Sequence, residues 1–242
     1  MRVGLIFMHG LGDTSAGWAA LEYQLGPALK KTLRHVEHIE WVFPDAPVAP
    51  VSINGGAQMT SWFDVFDWPI DARARDDPAG MLASVRTVHD LVAKLEARGV
   101  PARNVVVGGF SQGGAVALNA VYRYDKKLAG CVCLSGWLQL QTEWTKAVAS
   151  ASNADTPLFW GHGRYDEIVV PDQQTRGVAL AREAGLAVTA ESYPTAHASH
   201  PQELKDVAAF LGDVWREAAT GPAAAAAAAA DGASAECPPA AT

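Results

Sequence analysis

The chain has few cysteines, few charged residues and no long apolar segment, and each shortage excludes a class of protein. Its 242 residues include 3 cysteines, too few for the disulfide framework of a small secreted domain. The 19 basic residues are outnumbered by 26 acidic ones, and this negative balance argues against a nucleic-acid partner. No apolar run approaches the roughly 18 residues that a membrane span requires. We therefore expect a cytoplasmic protein with at most peripheral membrane contact.

The cysteines and histidines do not form any pattern typical of a bridged or metal-binding protein. Cys131 and Cys133 are separated by one residue and would share a face of a strand, where they cannot easily bridge each other. This arrangement suits a reducing compartment. No group of His and Cys residues has the spacing of metal ligands, so we expect no metal site.

The end of the chain differs in composition from the rest. Gly221-Pro222 interrupts the last helical pattern, and residues 223–230 are eight consecutive alanines. Residues 218–242 lack aromatic and large aliphatic side chains, so they cannot bury enough surface to offset the entropy of ordering. The sequence predicts one domain, large enough for an enzyme, over residues 1–217 and a low-complexity, disordered tail over residues 218–242.

Apolar runs alternate with helical patterns along the domain. The runs predict strands, and apolar residues at helical spacing predict helices over residues 81–95 and 204–215. Several runs, such as residues 105–107, lack polar alternation, as expected for strands covered by helices on both faces. The fold class is therefore α/β, with a mostly parallel central sheet. The predicted strands are residues 2–8, 38–43, 103–108, 128–134, 157–161 and 187–193.

Residues 44–80 do not fit this alternation. They contain five prolines, a Gly55-Gly56 pair and the aromatic residues Trp62, Phe63, Phe66 and Trp68. A structureless loop of this length inside a compact domain is usually functional. We expect a lid or a binding loop in which the aromatic side chains line a ligand groove or, alternatively, pack in the core.

The segment from Val105 to Ala115 contains a glycine-rich turn between a strand and a helix. A phosphate-binding loop is excluded because Gly114 stands where lysine is required, and the glycine spacing does not match a dinucleotide-binding fingerprint. The remaining pattern is G-x-S-x-G, with Ser111 at its centre. In such a turn the serine sits on a strained backbone above the sheet and acts as a nucleophile. The alternative is a serine that only caps the helix.

A nucleophilic serine needs a base and an orienting acid, which follow in the order Ser, acid, His in folds with this turn. Asp166 follows the strand at residues 157–161 and lies at the same sheet edge as Ser111, so we favour it over Asp172, which follows Pro171 at a helix start. His197 lies within the last loop, and we favour it over His200 at the helix entrance.

Two backbone amides are expected to stabilise the oxyanion that forms during acyl transfer. One is the N–H of Gln112, directly after the nucleophile, and the other is the N–H of Leu11 in the loop after the first strand. His9 and His162 are expected to support their turns rather than to react.

Five ordered motifs make the chain resemble the acyl-protein thioesterase and carboxylesterase family of α/β-hydrolases over about residues 3–215. The motifs are HGLGDT at residues 9–14, PDAPVAPV at 44–51 leading to SWFD at 61–64, GFSQGG at 109–114, LSGWL at 134–138, and HGRYD at 162–166 followed by the segment around His197. The resemblance implies an α/β-hydrolase fold and the roles already given to Ser111, His197, Asp166, Leu11 and Gln112. It also implies no cofactor.

The resemblance further implies acyl ester and thioester substrates, including S-acylated proteins and lysophospholipids. Trp62, Phe63 and Trp137 are the residues we expect to contact the acyl group. Two alternatives remain: a short-acyl esterase or deacetylase with the same triad, and a catalytically idle member that only binds ligands. Members of the family usually have a strand or hairpin before the position of Met1, so we expect the edge of the sheet to differ. The segment at residues 73–78 is short, which predicts a shallower or more open groove.

Overall fold

The computed structural model describes residues 1–150 and 152–220, which form an α/β sandwich. Its strands are β1 (Arg2–Met8), β2 (His38–Val42), β3 (Val48–Val51), β4 (Ala57–Thr60), β5 (Val105–Phe110), β6 (Gly130–Leu134), β7 (Leu158–Gly163) and β8 (Val188–Tyr193). Its α-helices are α1 (Ser15–Trp18), α2 (Leu21–Thr32), α3 (Pro78–Ala97), α4 (Gln112–Val121), α5 (Gln141–Ser150), α6 (Asp172–Glu183) and α7 (Pro201–Thr220).

Six of the strands form one sheet in the order β2-β1-β5-β6-β7-β8, and every neighbouring pair is parallel. These are the six strands that the apolar runs predict. The ends differ by up to two residues, most clearly at β5, because a 3-10 helix at Ala102–Asn104 precedes it. Parallel strands place all their carboxyl ends at one edge, and that edge collects the turns after β1, β5 and β7.

Helices cover both faces of the sheet and divide the core into two clusters. One cluster contains Val107, Val116 and Trp160 and lies on the side of α3, α4 and α6. The other contains Leu5, Leu25 and Leu211 and lies under α2 and α7. This two-sided burial explains why β5 and β6 lack polar alternation.

The prediction of a structureless loop over residues 44–80 was wrong. Strands β3 and β4 form an antiparallel hairpin that pairs Val48 with Thr60 and Val51 with Ala57. The turn uses a 3-10 helix at Ser52–Asn54 and the Gly55-Gly56 pair, both with φ positive, at 65° and 80°. Glycine adopts this backbone without the steric cost of a Cβ. Only one of the five prolines, Pro50, lies within this two-stranded ribbon, which is separate from the main sheet, and an edge strand of this kind tolerates proline.

The predicted helices begin earlier and end later than their apolar patterns, since capping residues extend them. Asp77 accepts a hydrogen bond from the N–H of Gly80 at the start of α3, and Pro78 occupies the first turn. Helix α7 continues through residues 218–220, and the rest of the predicted tail, residues 221–242, lies outside the described residues. Within the described part of the chain, no helix is both long and apolar enough to cross a bilayer.

Candidate active site

Ser111 lies in the sharp turn between β5 and α4, on a strained backbone. Its φ of 54° and ψ of −118° fall in a region that residues with a side chain seldom occupy. The glycines around it permit the turn. A Cβ on Gly109 would lie 2.3 Å from the carbonyl carbon of Gly113, and a Cβ on Gly113 would lie 2.3 Å from the carbonyl oxygen of Met8. Only glycine therefore allows β5, α4 and β1 to approach so closely.

His197 and Asp166 meet Ser111 in a continuous chain of hydrogen bonds. The Oγ of Ser111 is 2.8 Å from Nε2 of His197, and Nδ1 of His197 is 2.6 Å from Oδ2 of Asp166. The imidazole packs against the ring of Phe110, with centroids 4.8 Å apart. Nδ1 can only donate to the carboxylate, so Nε2 is left to accept the hydroxyl proton. The arrangement can transfer a proton from a serine to a histidine.

Asp166 is buried and held by the backbone of its own loop. Its Oδ1 accepts hydrogen bonds from the N–H groups of Ile168 and Val169, each at 2.9 Å. Only 3% of its surface is exposed. The rival candidates lie elsewhere: Asp172 is the first residue of α6, and His200 directly precedes α7.

Most of the chain matches known proteins. A sequence model of the phospholipase/carboxylesterase family matches residues 2–214. The chain belongs to the phospholipase/carboxylesterase family. It is 35% identical over 222 residues to acyl-protein thioesterase 1 of Cryptococcus neoformans, covering 86% of this chain and 90% of the relative. It is 34% identical over 212 residues to a probable carboxylesterase of Oryza sativa, covering 87% and 77%.

Solved structures agree with this membership. The crystal structure of Arabidopsis thaliana SOBER1 superposes with a TM-score of 0.81 at 30% identity, covering 88% of this chain and 99% of that one. Zea mays acyl-protein thioesterase 2 superposes with a TM-score of 0.72 at 28% identity, covering 88% and 94%. The α/β-hydrolase fold predicted from the motifs is therefore confirmed, and this family member is a hydrolase.

Two backbone amides lie beside Ser111. Gln112 opens α4 directly after Ser111. The loop carrying Leu11 is adjacent, since a Cβ on Gly10 would lie 3.4 Å from the Cβ of Ser111. Among the described residues, neither the Leu11 nor the Gln112 N–H donates to a loop or turn carbonyl. Both amides can therefore donate to a substrate oxygen.

The side chain of Gln112 forms three hydrogen bonds that the sequence motif did not predict. Its Oε1 accepts the N–H of Trp62 at 2.9 Å, and its Nε2 donates to Oγ of Ser61 at 3.0 Å and to the carbonyl of Phe63 at 2.6 Å. These bonds fasten the turn after β5 to the segment after β4. A glutamine after the nucleophile and a serine before Trp62 were the available signals, but their contact depends on the fold.

The three aromatic residues expected to contact the acyl group are all buried. Trp62 is held at its backbone by Gln112 and donates its indole N–H to the carbonyl of His9 at 2.9 Å. The rings of Phe63 and Trp137 meet edge to face with centroids 5.6 Å apart. Exposed fractions of 3%, 4% and 4% for Trp62, Phe63 and Trp137 place them in the core. They lie beside the sharp turn that carries Ser111, which we call the elbow. Their contact with substrate stays a prediction.

The two other buried histidines near this sheet edge hold loops together. His9 accepts the N–H of Ala46 at Nε2, 3.0 Å away, and its Nδ1 donates to the carbonyl of Gly10 at 2.7 Å. His162 donates from Nε2 to the carbonyl of Val169 at 2.8 Å, which closes the loop around Asp166. Burial lowers the pKa of His162, so it is neutral at physiological pH. Within the described residues, no group of three acidic, His or Cys side chains could hold a metal ion.

Proposed function

We propose that the chain is a serine hydrolase that cleaves acyl thioesters and carboxylic esters through Ser111, His197 and Asp166. The observation that carries the proposal is the unbroken hydrogen-bond chain from Ser111 Oγ through the His197 imidazole to the Asp166 carboxylate. The strained elbow at Ser111 supports it, since strain of this kind is concentrated at functional sites. Membership of a hydrolase family supplies the reaction class.

The first half-reaction forms an acyl-enzyme. His197 Nε2 takes the Ser111 proton while Oγ attacks the acyl carbonyl carbon, and the carbonyl electron pair moves to oxygen. The tetrahedral intermediate collapses, the bond to the thiolate or alkoxide breaks, and His197 returns its proton to that leaving group. In the second half-reaction His197 deprotonates a water, which attacks the acyl carbon; the bond from that carbon to Oγ then breaks, and His197 returns the proton to Oγ, which frees Ser111 and the carboxylic acid. Asp166 orients the imidazole and stabilises its positive charge throughout.

The developing oxyanion is stabilised by the N–H groups of Leu11 and Gln112. Such donors are most effective when they are fixed before the reaction, because no reorganisation is then needed. Gln112 is fixed by its three side-chain bonds to residues 61–63. The loop of Leu11 is fixed by the bond from the N–H of Gly12 to the carbonyl of Thr60 at 2.8 Å.

The relatives named acyl-protein thioesterase suggest the natural substrates, which are S-acylated proteins and, by family resemblance, lysophospholipids. Such substrates reside at membranes, so the enzyme would contact a membrane peripherally. We assign the activity to the cytoplasm, in line with the unpaired, buried Cys131 and Cys133. No cofactor enters any step.

A short-acyl esterase or deacetylase is the second candidate, and two observations favour it. Trp62 and Phe63 are almost fully buried and contribute little exposed apolar surface to a long groove. Trp137 borders a cavity of about 310 Å³ that is also lined by Asp71, Asp76 and Arg176, a polar setting for an acyl tail. A series of p-nitrophenyl esters and S-acyl thioesters from acetyl to palmitoyl decides between the two candidates. A sharp preference for acetyl excludes the long-chain assignment.

The catalytic assignment is tested with Ser111→Ala on p-nitrophenyl butyrate. We expect kcat to fall by about 10⁶-fold, as when the nucleophile of a triad is removed. Ser52→Ala, on the exposed β3–β4 turn, is the control and should retain activity. Unchanged activity of Ser111→Ala overturns the triad, and a native protein inactive on every ester and thioester indicates an idle, ligand-binding member.

A further inference from the structure

Glu203 is a buried acid in the first turn of α7 that the proposed reaction does not use. Only 1% of its surface is exposed. Its Oε2 accepts the backbone N–H of His200 at 3.2 Å. That N–H belongs to the loop at residues 194–200, which carries His197. Glu203 therefore bonds the end of this loop to the helix that follows.

The other end of the loop is anchored to the segment after β7. The N–H of Tyr165 donates to the carbonyl of Thr195 at 3.0 Å, and the N–H of Arg164 donates to that of Tyr193 at 2.8 Å. A Cβ on Gly163 would lie 2.2 Å from the carbonyl oxygen of Ala196, so the two backbones are in close contact. His197 thus sits between two anchors, one formed by the Asp166 loop and the other by Glu203.

The carboxyl group of Glu203 packs against the backbone of Gly161, in a space that a side chain at residue 161 would fill; this space is called the seat of Glu203. A Cβ on Gly161, in β7, would lie 2.3 Å from Oε1. The seat exists only because Gly161 has no side chain. Within the described part of the chain, Oε1 has no hydrogen-bond partner. A carboxyl group held in so enclosed a place has a fixed position and can fix what it binds.

Burial raises the pKa of Glu203 to about 7. The hydrogen bond from the His200 N–H opposes this rise, and the charge of Asp206 adds to it. The other titratable groups near it are His200 on the loop, Tyr193 on β8, and Cys133 on β6. Tyr193 donates its hydroxyl to Asp206 and stacks on the ring of His200. Tyr193 and Cys133 carry no positive charge in either protonation state, so neither supplies a cation at Glu203.

We infer that Glu203 is a positioning residue for His197: it holds the end of the loop so that the imidazole stays between Ser111 and Asp166. The inference rests on the proposed function, because positioning has a catalytic meaning only if His197 is the base. A Glu203 that merely capped α7 would affect stability and leave the catalytic rate of the folded enzyme unchanged.

The test compares Glu203→Ala, Glu203→Gln and Gly161→Ala by steady-state kinetics with p-nitrophenyl butyrate. We expect Glu203→Ala to lower kcat by about 10- to 100-fold with KM changed less than about 2-fold, the effect of a displaced reactive group. Glu203→Gln keeps a side-chain oxygen that can accept the His200 N–H, so this variant should retain most of the wild-type kcat. Gly161→Ala leaves Glu203 in the chain but fills its seat, so it should lower kcat like Glu203→Ala.

A matched control separates positioning from helix capping. Asp172→Ala removes an acidic side chain from the first turn of α6, away from the His197 loop, and should leave kcat unchanged. The low-field proton resonance of the His197–Asp166 hydrogen bond is a second readout. It should be lost or broadened in Glu203→Ala and Gly161→Ala and persist in Glu203→Gln and Asp172→Ala.

Two outcomes overturn the inference. The first is a folded Glu203→Ala with the wild-type kcat and proton resonance, and the second is a Gly161→Ala enzyme that retains both. If Glu203→Ala does not fold, Gly161→Ala decides the question, with Gly26→Ala as a glycine control that meets no atom within 4 Å. These failures are distinct from failure of the proposed function, which requires activity that survives Ser111→Ala.

Discussion

Replacing Gly113 with alanine tests whether the close approach of α4 to β1 sets the geometry of the elbow. A Cβ at this position would lie 2.3 Å from the carbonyl oxygen of Met8 and 2.7 Å from that of His9. Both are backbone atoms and cannot rotate away. Ordinary contact begins at 3.4 Å, so the first turn of α4 must move by about 1 Å.

This shift should affect both rate and stability. The first turn of α4 carries the N–H of Gln112 and follows Ser111, and a misplacement of about 1 Å costs about 100-fold in rate. Overpacking of a core costs about 1–3 kcal/mol. For a domain of this size each kcal/mol lowers Tm by about 2–4 °C. We therefore expect kcat to fall about 100-fold and Tm to fall by about 2–12 °C.

The assay is kcat on p-nitrophenyl butyrate, measured well below the Tm of the variant so that both proteins are folded by circular dichroism. Gly26→Ala is the control because a Cβ there meets nothing within 4 Å. It should retain activity and gain up to about 1 kcal/mol from helix propensity. A Gly113→Ala enzyme with kcat within about 3-fold of wild type and an unchanged Tm would refute the argument.

Three further predictions concern the same sheet edge. Asp166→Asn should lower kcat by about 10⁴-fold because the wrong imidazole tautomer is stabilised, while Asp172→Asn should not; equal kinetics of the two variants would contradict this assignment. Gln112→Ala removes three buried hydrogen bonds to residues 61–63 and leaves the Trp62 N–H unpaired, while Ser61 Oγ and the Phe63 carbonyl keep their bond to each other, so it should reduce the free energy of unfolding in urea by at least about 2 kcal/mol. The folded-state pKa of Glu203, about 7, lies above its ordinary value of 4.5, so its contribution to stability is full below pH 4.5 and is lost as pH rises through 7. That loss is about 3 kcal/mol at about 1.4 kcal/mol per pKa unit; Glu203→Gln should abolish it, and identical pH profiles of unfolding for the two proteins would exclude it.

The sequence predicted the central sheet because each of its strands carries a local signal. Residues 105–107 are apolar without alternation, which already indicates a strand buried on both faces. The elbow was also visible, since the glycines around Ser111 are needed by the turn itself. The order of Ser111, Asp166 and His197 along strand ends predicted a shared edge, although their catalytic roles stay predictions.

The residues at 44–80 show where local signals fail. Their prolines and the Gly55-Gly56 pair indicated a loop, yet the chain pairs β3 with β4. A two-stranded ribbon is only marginally stable by itself. It forms here against the rest of the domain, through bonds such as the one from Gly12 to Thr60. Contacts with the rest of the domain therefore outweighed the local turn propensity of this segment.

What the sequence determined by itself was the alternation of elements, the nucleophile turn and the family. Only the tertiary structure decided the contacts between distant residues: Gln112 with Ser61, Ser111 with His197, and the Glu203 carboxyl seated on Gly161. The reason is physical. Local patterns report which face of an element is buried, whereas a hydrogen bond between residues far apart in the chain depends on how all the elements pack together.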